Sequence, residues 1–206
     1  SKKRFLKGLD KVFYKSEKLI VIYQSTNKVK INLNKKKNWI IFVGKLNRAK
    51  GYDLFGKAVL KILNKFPNWK AIAIGDEQRE KLIFVHKNLI KLGFLKHEKV
   101  LDIFTKTSIA VACSRWNEPL GRTGLEASSR GCAVIISNRG GLPETITNGI
   151  IIKRLNELNV YNSIKKLIEN QKYRKILQKL SIKNFMHTHE NIVNKIDLYR
   201  DIAIES

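Results

Sequence analysis

Short runs of β-branched residues alternate with helical stretches from residue 39 onward. The apolar runs are bounded by polar residues or glycine and predict buried strands over 39–44, 71–75, 88–93, 108–113, 133–137 and 149–152. Apolar positions at helical spacing predict helices over 51–66, 97–104 and 122–130, with a short polar helix before the third strand. This alternation predicts an α/β fold, a doubly wound parallel sheet whose ligand lies beyond the carboxyl ends of the strands.

The chain departs from this alternation at both ends. Residues 155–184 have the pattern of two helices joined at Asn170, and a last amphipathic helix closes the chain. The first 38 residues carry one predicted strand, 19–23, between lysine-rich flanks. We therefore predict three parts: 1–38 as the end of a preceding domain and a linker, 39–186 as the ligand-binding domain, and 187–206 as a closing helix.

Composition limits the chain to one domain with appendages. Its 206 residues include 43% apolar and 28% charged side chains, which is enough for one full core. Two cysteines cannot form a disulfide framework and match no metal or redox spacing, so we expect buried thiols. No apolar run reaches the roughly 18 residues of a transmembrane helix. The charged N-terminus is unlike a signal peptide, and these features favour a cytoplasmic protein.

A formal charge of +24 points first to nucleic acid or an anionic membrane as a partner. The excess is uneven, because residues 1–50 contain 15 basic and two acidic side chains, away from the motifs described below. We therefore expect no nucleic-acid partner, and we expect the basic N-terminal segment to contact anionic lipid at a membrane surface. A nucleic-acid-binding module is kept as an alternative, with affinity that falls steeply with salt as its signature.

The densest chemical signal is the segment 117–146, NEPLGRTGLEASSRGCAVIISNRGGLPETI. It follows the strand that ends at Cys113 and begins a helix, where an open sheet places its ligand. The amide groups at the start of a helix favour an anion, and Gly121 would let the backbone approach phosphate oxygens. Glu118 and Glu126 would lie about 12 Å apart if the segment between them is helical. The alternative is an ordinary helix N-terminus at which Glu118 only complements the dipole.

Two further glycine-containing loops follow strands of the same predicted sheet. Gly44, Lys45 and Lys50 lie in the loop after the first strand, where ammonium groups can neutralise a diphosphate. Gly140 and Gly141 follow a later strand, where paired glycines permit a tight turn against a ligand or a plain connection. Among 31 lysines, a lysine beside a glycine means little by itself. The position of the two loops gives them their weight as candidate sites, since both should meet the Glu118 segment on one rim of the sheet.

The order of these motifs resembles a known enzyme family. GKLNRAKG after the first strand, the GD and GF pairs, EPLGRTGLE and GGLPE stand in the order found in the C-terminal, nucleotide-sugar-binding half of the retaining GT-B glycosyltransferases, the glycosyltransferases group 1 family. The resemblance covers about residues 19–204. It implies a Rossmann-like domain with extra C-terminal helices, of which the last crosses back onto an N-terminal domain.

The resemblance also implies a role for each matching residue. Lys45 and Lys50 would contact the donor diphosphate, Glu118 the hydroxyls of the donor sugar, and Glu126 the ribose. The implied catalytic set is Glu118, Lys45 and Lys50, since cations stabilise the charge that grows on the leaving diphosphate. Further donor contacts are implied for Gly44, Phe94, Leu95, Leu120, Gly121, Thr123 and Gly141, with Phe94 and Leu95 beside the base and the backbone from Gly121 to Thr123 beside the distal phosphate. Arg122 is an addition to the family pattern, which would give a further phosphate contact or point to solvent.

The reaction that the resemblance implies is transfer of a sugar from a nucleotide-diphosphate donor to a glycan or lipid-linked acceptor with retention, in the synthesis of lipopolysaccharide or another cell-envelope polysaccharide. The family's N-terminal domain holds the acceptor site and is outside this sequence, so we expect donor binding with little or no transfer. We expect no metal or other cofactor, because protein cations take that role and the four histidines match no ligand spacing. The alternative enzyme on the same scaffold is a nucleotide-sugar epimerase. A dinucleotide oxidoreductase is disfavoured because no GxGxxG follows the first strand.

Overall fold

A six-stranded, fully parallel sheet forms the centre of the computed structural model, which describes residues 20–27 and 29–205. The strands are β1 (Lys37–Val43), β2 (Lys70–Ile74), β3 (Leu89–Lys91), β4 (Thr107–Ala112), β5 (Ala133–Ser137) and β6 (Ile150–Ile152). Their order across the sheet is β3-β2-β1-β4-β5-β6, so the direction of winding reverses between β1 and β4. The predicted doubly wound parallel sheet is confirmed.

Helices cover both faces of the sheet. The helices of the described chain are α1 (Tyr52–Lys65), α2 (His97–Lys106), α3 (Arg122–Ser129), α4 (Glu157–Glu169), α5 (Gln171–Lys183) and α6 (His189–Glu205), with 3-10 turns at Leu33–Lys35 and Leu142–Thr145. Alternate strand residues face opposite sides. Ile40 and Phe42 share a core with α1 and α4, whereas Ile41 shares a second core with α2 and α3. The β-branched runs are therefore buried on both faces, as expected of parallel strands.

The polar helix predicted before β3 is not formed. Residues 76–86 contain neither helix nor strand, and from Lys81 to Asn88 exposed and half-buried side chains alternate. Phe84 faces inward, with its ring centroid 5.5 Å from that of Tyr52 in α1. Ile83 and Val85 face outward. A period of two fits extended backbone and not a helix, so the prediction was wrong here.

The strand predicted over 19–23 is not formed in its described part. Residue 19 lies outside the described residues, and residues 20–23 belong to no strand. An isolated bridge joins Thr26 to Thr188, and the hydroxyl of Tyr23 donates to Glu144 Oε2 at 2.7 Å. This segment thus contacts the turn after β5 and the residues just before α6, and it adds no strand to the sheet. The assignment of 1–38 to another domain stays a prediction, and residues 1–19 lie outside the described residues.

The C-terminal helices and the cysteines agree with the sequence. α4 and α5 meet at Asn170 as predicted, and α6 closes the chain with Val193, Leu198 and Ile202 more than half exposed. Both thiols are free and fully buried, and burial raises the pKa of Cys113 to about 12. Among the helices that the structure describes, none is long and apolar enough to cross a membrane.

Asn156 caps α4 and gives a first test of this local structure. Its side chain accepts a hydrogen bond from the Asn159 amide at 2.8 Å. Loss of such a cap costs about 1 kcal/mol, so Asn156→Ala should lower the free energy of unfolding by that amount. Asn162→Ala, at an exposed position within the same helix, should raise it by roughly 0.5 kcal/mol because alanine favours helix. Urea titration measures both, and changes of the same sign would contradict the cap.

Candidate functional site

The carboxyl ends of β1 and β4 lie side by side where the strand order reverses. Open α/β sheets bind ligands at this point, because the loops after the two strands diverge and leave a crevice. A cleft of about 220 Å³ opens here, and its lining includes Gly44, Lys50, Glu118, Gly121, Arg122 and Thr123. Each of these residues belongs to the set predicted from the sequence.

Lys50 and Glu118 form an ion pair in this cleft. The Lys50 Nζ atom lies 2.5 Å from Glu118 Oε1, although 68 residues separate the two along the chain. The Glu118 side chain is 13% exposed and that of Lys50 is 32% exposed, so the pair is partly shielded from solvent. Shielding strengthens a charge-assisted hydrogen bond relative to an open surface. The structure thus places the loop after β1 and the Glu118 segment on the same rim, as the sequence predicts.

The first turn of α3 borders the same cleft. Gly121 precedes the helix with φ of 89° and no side chain caps this end. The first amide groups of a helix lack partners within it, so they favour an anion. A Cβ on Gly121 would lie 2.4 Å from Leu142 Cδ2, which explains the glycine. Because α3 begins only at Arg122, the spacing expected for a continuous helix between Glu118 and Glu126 does not apply.

Glu126 lies one turn into α3 and is only 6% exposed. Its Oε1 atom accepts a hydrogen bond from Arg122 Nε at 3.0 Å and lies 3.0 Å from His97 Nε2. Arg122 lines the cleft, so it connects Glu126 to that space. His97 begins α2 and was not predicted as a site residue. In the part of the chain that the structure describes, no three His, Cys, Asp or Glu side chains are grouped to hold a metal ion.

A second, more apolar hollow of about 250 Å³ adjoins the first. Val43 and Gly44 line both spaces, and the second is also lined by Lys45, Asp76, Phe94, Leu95 and Val100. Phe94 and Leu95 were both predicted from the sequence, and Phe94 is 77% exposed. Lys45 lies here and not beside Lys50, so the two lysines serve neighbouring spaces at the ends of β1 and β2.

The paired glycines support the Glu118 loop from behind. The Gly141 amide donates to the Glu118 carbonyl at 2.7 Å. A Cβ on Gly140 would lie 2.2 Å from that same oxygen, and one on Gly141 would lie 3.0 Å from Leu120 Cα. These glycines allow two backbones to touch. Leu120, also predicted, is half-buried and contributes this backbone contact.

Asp53 and Arg115, like His97, lie near the site and were not predicted from the sequence. Arg115 Nη1 and Nη2 donate to the two carboxylate oxygens of Asp53 at 2.6 and 2.7 Å. Burial alone would raise the pKa of Asp53, but the guanidinium holds it below its ordinary value. An aspartate in the first turn of a helix was the only signal available, and it fits a simple dipole role.

Comparisons with known proteins show the family of the chain. Residues 24–183 match the family described as glycosyl transferases group 1. The chain is 31% identical over 163 residues to spore coat protein SA of Bacillus subtilis (strain 168), covering 70% of this chain and 43% of that protein. It is 28% identical over 129 residues to the lipopolysaccharide core biosynthesis mannosyltransferase LpsB of Rhizobium meliloti (strain 1021), covering 58% and 36%. The chain thus spans less than half the length of these curated relatives.

Solved structures give the same fold. The C-terminal domain of a glycosyl transferase group 1 family protein (LpcC) from Francisella tularensis is 26% identical, with a TM-score of 0.63 over 70% of this chain and 82% of that one. Anabaena Alr3699/HepE, solved in complex with UDP and glucose, is 17% identical, with a TM-score of 0.75 over 100% of this chain and 60% of that one. At that identity the likeness shows the fold alone, which is the C-terminal half of the GT-B architecture. With the family matched over residues 24–183, this chain belongs to the group 1 glycosyl transferases.

Proposed function

We propose that the cleft binds a nucleotide-diphosphate sugar and that this chain is the donor-binding half of a transferase acting on a glycan or lipid-linked acceptor. The observation that carries the proposal is the Lys50–Glu118 pair beside the first turn of α3. This cleft combines a cation, a carboxylate and an uncapped helix N-terminus. The cation and the helix N-terminus suit the negative charge of a diphosphate, and the carboxylate suits the hydroxyl groups of a sugar linked to it.

Lys50 can serve both parts of such a ligand at once. An ammonium group has three N–H donors and no acceptor, and Glu118 occupies one of them at 2.5 Å. The other two N–H groups can donate to phosphate oxygens, so the lysine would lie between the diphosphate and the sugar. Glu118 keeps its second carboxylate oxygen for a sugar hydroxyl. We propose that Glu126 holds the ribose and that Phe94 and Leu95 pack against the base, since they line the adjoining apolar hollow.

The chemistry that these residues would perform is stabilisation of the leaving group. As the bond from sugar to diphosphate breaks, negative charge grows on the diphosphate. We propose that Lys50 and Arg122, which line the cleft, oppose that charge directly, and that Lys45 does so from the adjoining hollow. We propose that no metal is needed for this and that the sugar is a hexose transferred with retention. The name of the LpsB relative supports a role in cell-envelope polysaccharide synthesis. We also propose a cytoplasmic protein whose lysine-rich N-terminal segment contacts anionic lipid.

A ligand panel tests the proposal. UDP, GDP and ADP sugars are added to the 206-residue chain, and thermal unfolding is followed. The correct donor should stabilise the fold by about 2.7 kcal/mol at a hundredfold excess over its dissociation constant. If none of the panel shifts the transition, the proposal fails.

Two glutamate variants divide the ligand into its parts. Glu126→Ala should weaken binding of the free nucleoside diphosphate, because the ribose loses its acceptor. Glu118→Ala should leave that affinity nearly unchanged, since Lys50 then gives all its donors to phosphate, and it should weaken the complete nucleotide sugar. Isothermal titration with each ligand measures both, and equal losses for the free diphosphate would refute this division of roles.

A further inference from the structure

Arg115 contacts the loop that carries Lys50 through both terminal nitrogens of its guanidinium group. Nη1 and Nη2 grip the Asp53 carboxylate at 2.6 and 2.7 Å, and Nη1 also donates to the Arg48 carbonyl at 2.6 Å. A two-armed contact of this kind fixes orientation as well as distance. Its partners lie on both sides of Lys50 in the sequence. The Arg115 side chain is 40% exposed and is not part of the cleft lining.

Main-chain contacts around Arg115 join the same two loops. The amides of Arg115 and Trp116 both donate to the Ala49 carbonyl, at 2.9 and 3.1 Å. The Ser114 hydroxyl donates to that oxygen as well, at 3.2 Å, and the Cys113 thiol donates to the Gly51 carbonyl. The residues next to Lys50 are thus bound to the segment that leads into Glu118. The guanidinium supplies the charged part of this contact.

We infer that Arg115, together with Asp53, is a positioning residue that holds Lys50 opposite Glu118. It acts on the donor only through Lys50 and has no contact with the ligand. That Arg115 holds the Lys50 loop follows from the contacts between the two loops alone. That this contact affects ligand binding rests on the proposed function. Arg115 and Asp53 form one unit, since removing either partner breaks the charged contact to the loop that carries Lys50, while the hydrogen bonds to the Ala49 carbonyl remain.

A direct role for Arg115 as a phosphate ligand makes the opposite prediction for one variant. Asp53→Asn removes the negative charge that occupies the guanidinium while keeping the size of the side chain. If Arg115 binds phosphate itself, this variant frees it and strengthens binding. If Arg115 positions Lys50, the weakened grip loosens the loop and binding weakens.

The first experiment needs no ligand. Amide hydrogen exchange of Gly51 and Tyr52, which donate to Arg48 and Asn47 within the loop, is measured in the 206-residue chain. In Arg115→Met these amides should exchange about tenfold faster, because local opening no longer breaks the charged contact. Arg200→Met is the matched control, since it removes an arginine from an exposed pair with Asp197 in α6. Unchanged exchange in Arg115→Met overturns the inference.

The second experiment places Arg115 and Lys50 in a double-mutant cycle. UDP, GDP, ADP and inorganic pyrophosphate are the probes, titrated into the original chain, Arg115→Met, Lys50→Met and the double variant. Arg115→Met should lower the affinity for the probe about tenfold when Lys50 is present and less than about twofold in the Lys50→Met background. Equal losses in both backgrounds overturn a role through Lys50.

The two experiments separate the inference from the proposed function. If no probe binds the original chain, the proposed function fails, and hydrogen exchange still decides the geometry. If probes bind and Arg115→Met binds them equally well, positioning is overturned and the proposed function survives. Should Arg115→Met not fold, Arg115→Lys carries the same tests, because one ammonium cannot make the two-armed contact.

Discussion

Gly51→Ala is expected to lower the free energy of unfolding by about 3 kcal/mol or more. Gly51 has φ of 78°, a left-handed conformation that costs an alanine roughly 1–2 kcal/mol. The added Cβ would also lie 1.9 Å from the Cys113 carbonyl oxygen and 2.8 Å from its carbon. These are backbone atoms just after β4, so the strand end or α1 must move, and overpacking costs about 1–3 kcal/mol more. Urea titration measures the change.

Gly93→Ala is the control for this substitution. Gly93 also has a left-handed φ, 64°, but a Cβ there would meet no atom within 4 Å. Gly93→Ala should lower the free energy of unfolding only by the cost of the left-handed conformation, about 1–2 kcal/mol. Equal losses at the two positions would show that the loop at Gly51 and the end of β4 are not in close contact.

The alternation of strands and helices was the part of the fold that the sequence predicts best. Parallel strands are buried on both faces, so runs such as 133–137 are apolar throughout and stand out from their surroundings. The short polar helix predicted before β3 is not formed, although Glu77, Arg79 and Glu80 favour helix by propensity. Tertiary contacts override it: Glu77 accepts from Asn47 at 2.8 Å and Glu80 pairs with Arg48 at 3.0 Å.

The sequence predicts the site residues that follow strand ends. It does not predict those whose role depends on an ion pair or hydrogen bond with a distant residue. Lys50 and Glu118 each follow a strand, and adjacent strand ends in a doubly wound sheet bring them together. Arg115 and Asp53 are 62 residues apart, and no pattern marks one arginine among 41 basic residues as the partner of one aspartate. His97 beside Glu126 is missing from the prediction for the same reason.

The sequence also could not predict that Gly140 and Gly141 support the backbone of the Glu118 loop, because this role depends on contacts between distant residues. Paired glycines are compatible with a ligand turn or with backbone packing, because both need room at Cα. Only the approach of the Glu118 carbonyl to within 2.2 Å of a Cβ on Gly140 separates the two. The donor contact that the resemblance implies for Gly141 stays a prediction, and the geometry shows that the Gly141 amide supports the backbone of Glu118.

Charge reversal at Lys50 should have the largest effect on ligand binding. Lys50→Glu replaces the ammonium with a carboxylate beside Glu118 and beside the space proposed for the diphosphate. Loss of one charge-assisted bond costs about 1.5–3 kcal/mol, and repulsion adds to it, so affinity for a nucleoside diphosphate should fall by more than about 100-fold. Lys57→Glu, which makes the same change at an exposed position of α1, is the control and should lose less than about twofold because solvent and salt screen it.

The exchanged pair, Lys50→Glu with Glu118→Lys, separates stability from binding. Opposite charges again face each other in the cleft, so the unfolding free energy should return to within about 0.5 kcal/mol of the original value. Affinity should stay at least about tenfold low, because the ammonium now stands where the sugar hydroxyls need an acceptor and the carboxylate stands beside the phosphates. Isothermal titration and urea unfolding of the same preparations give both quantities. Recovery of affinity together with stability would mean that the pair only neutralises charge in the cleft, and it would remove the separate roles of Lys50 and Glu118.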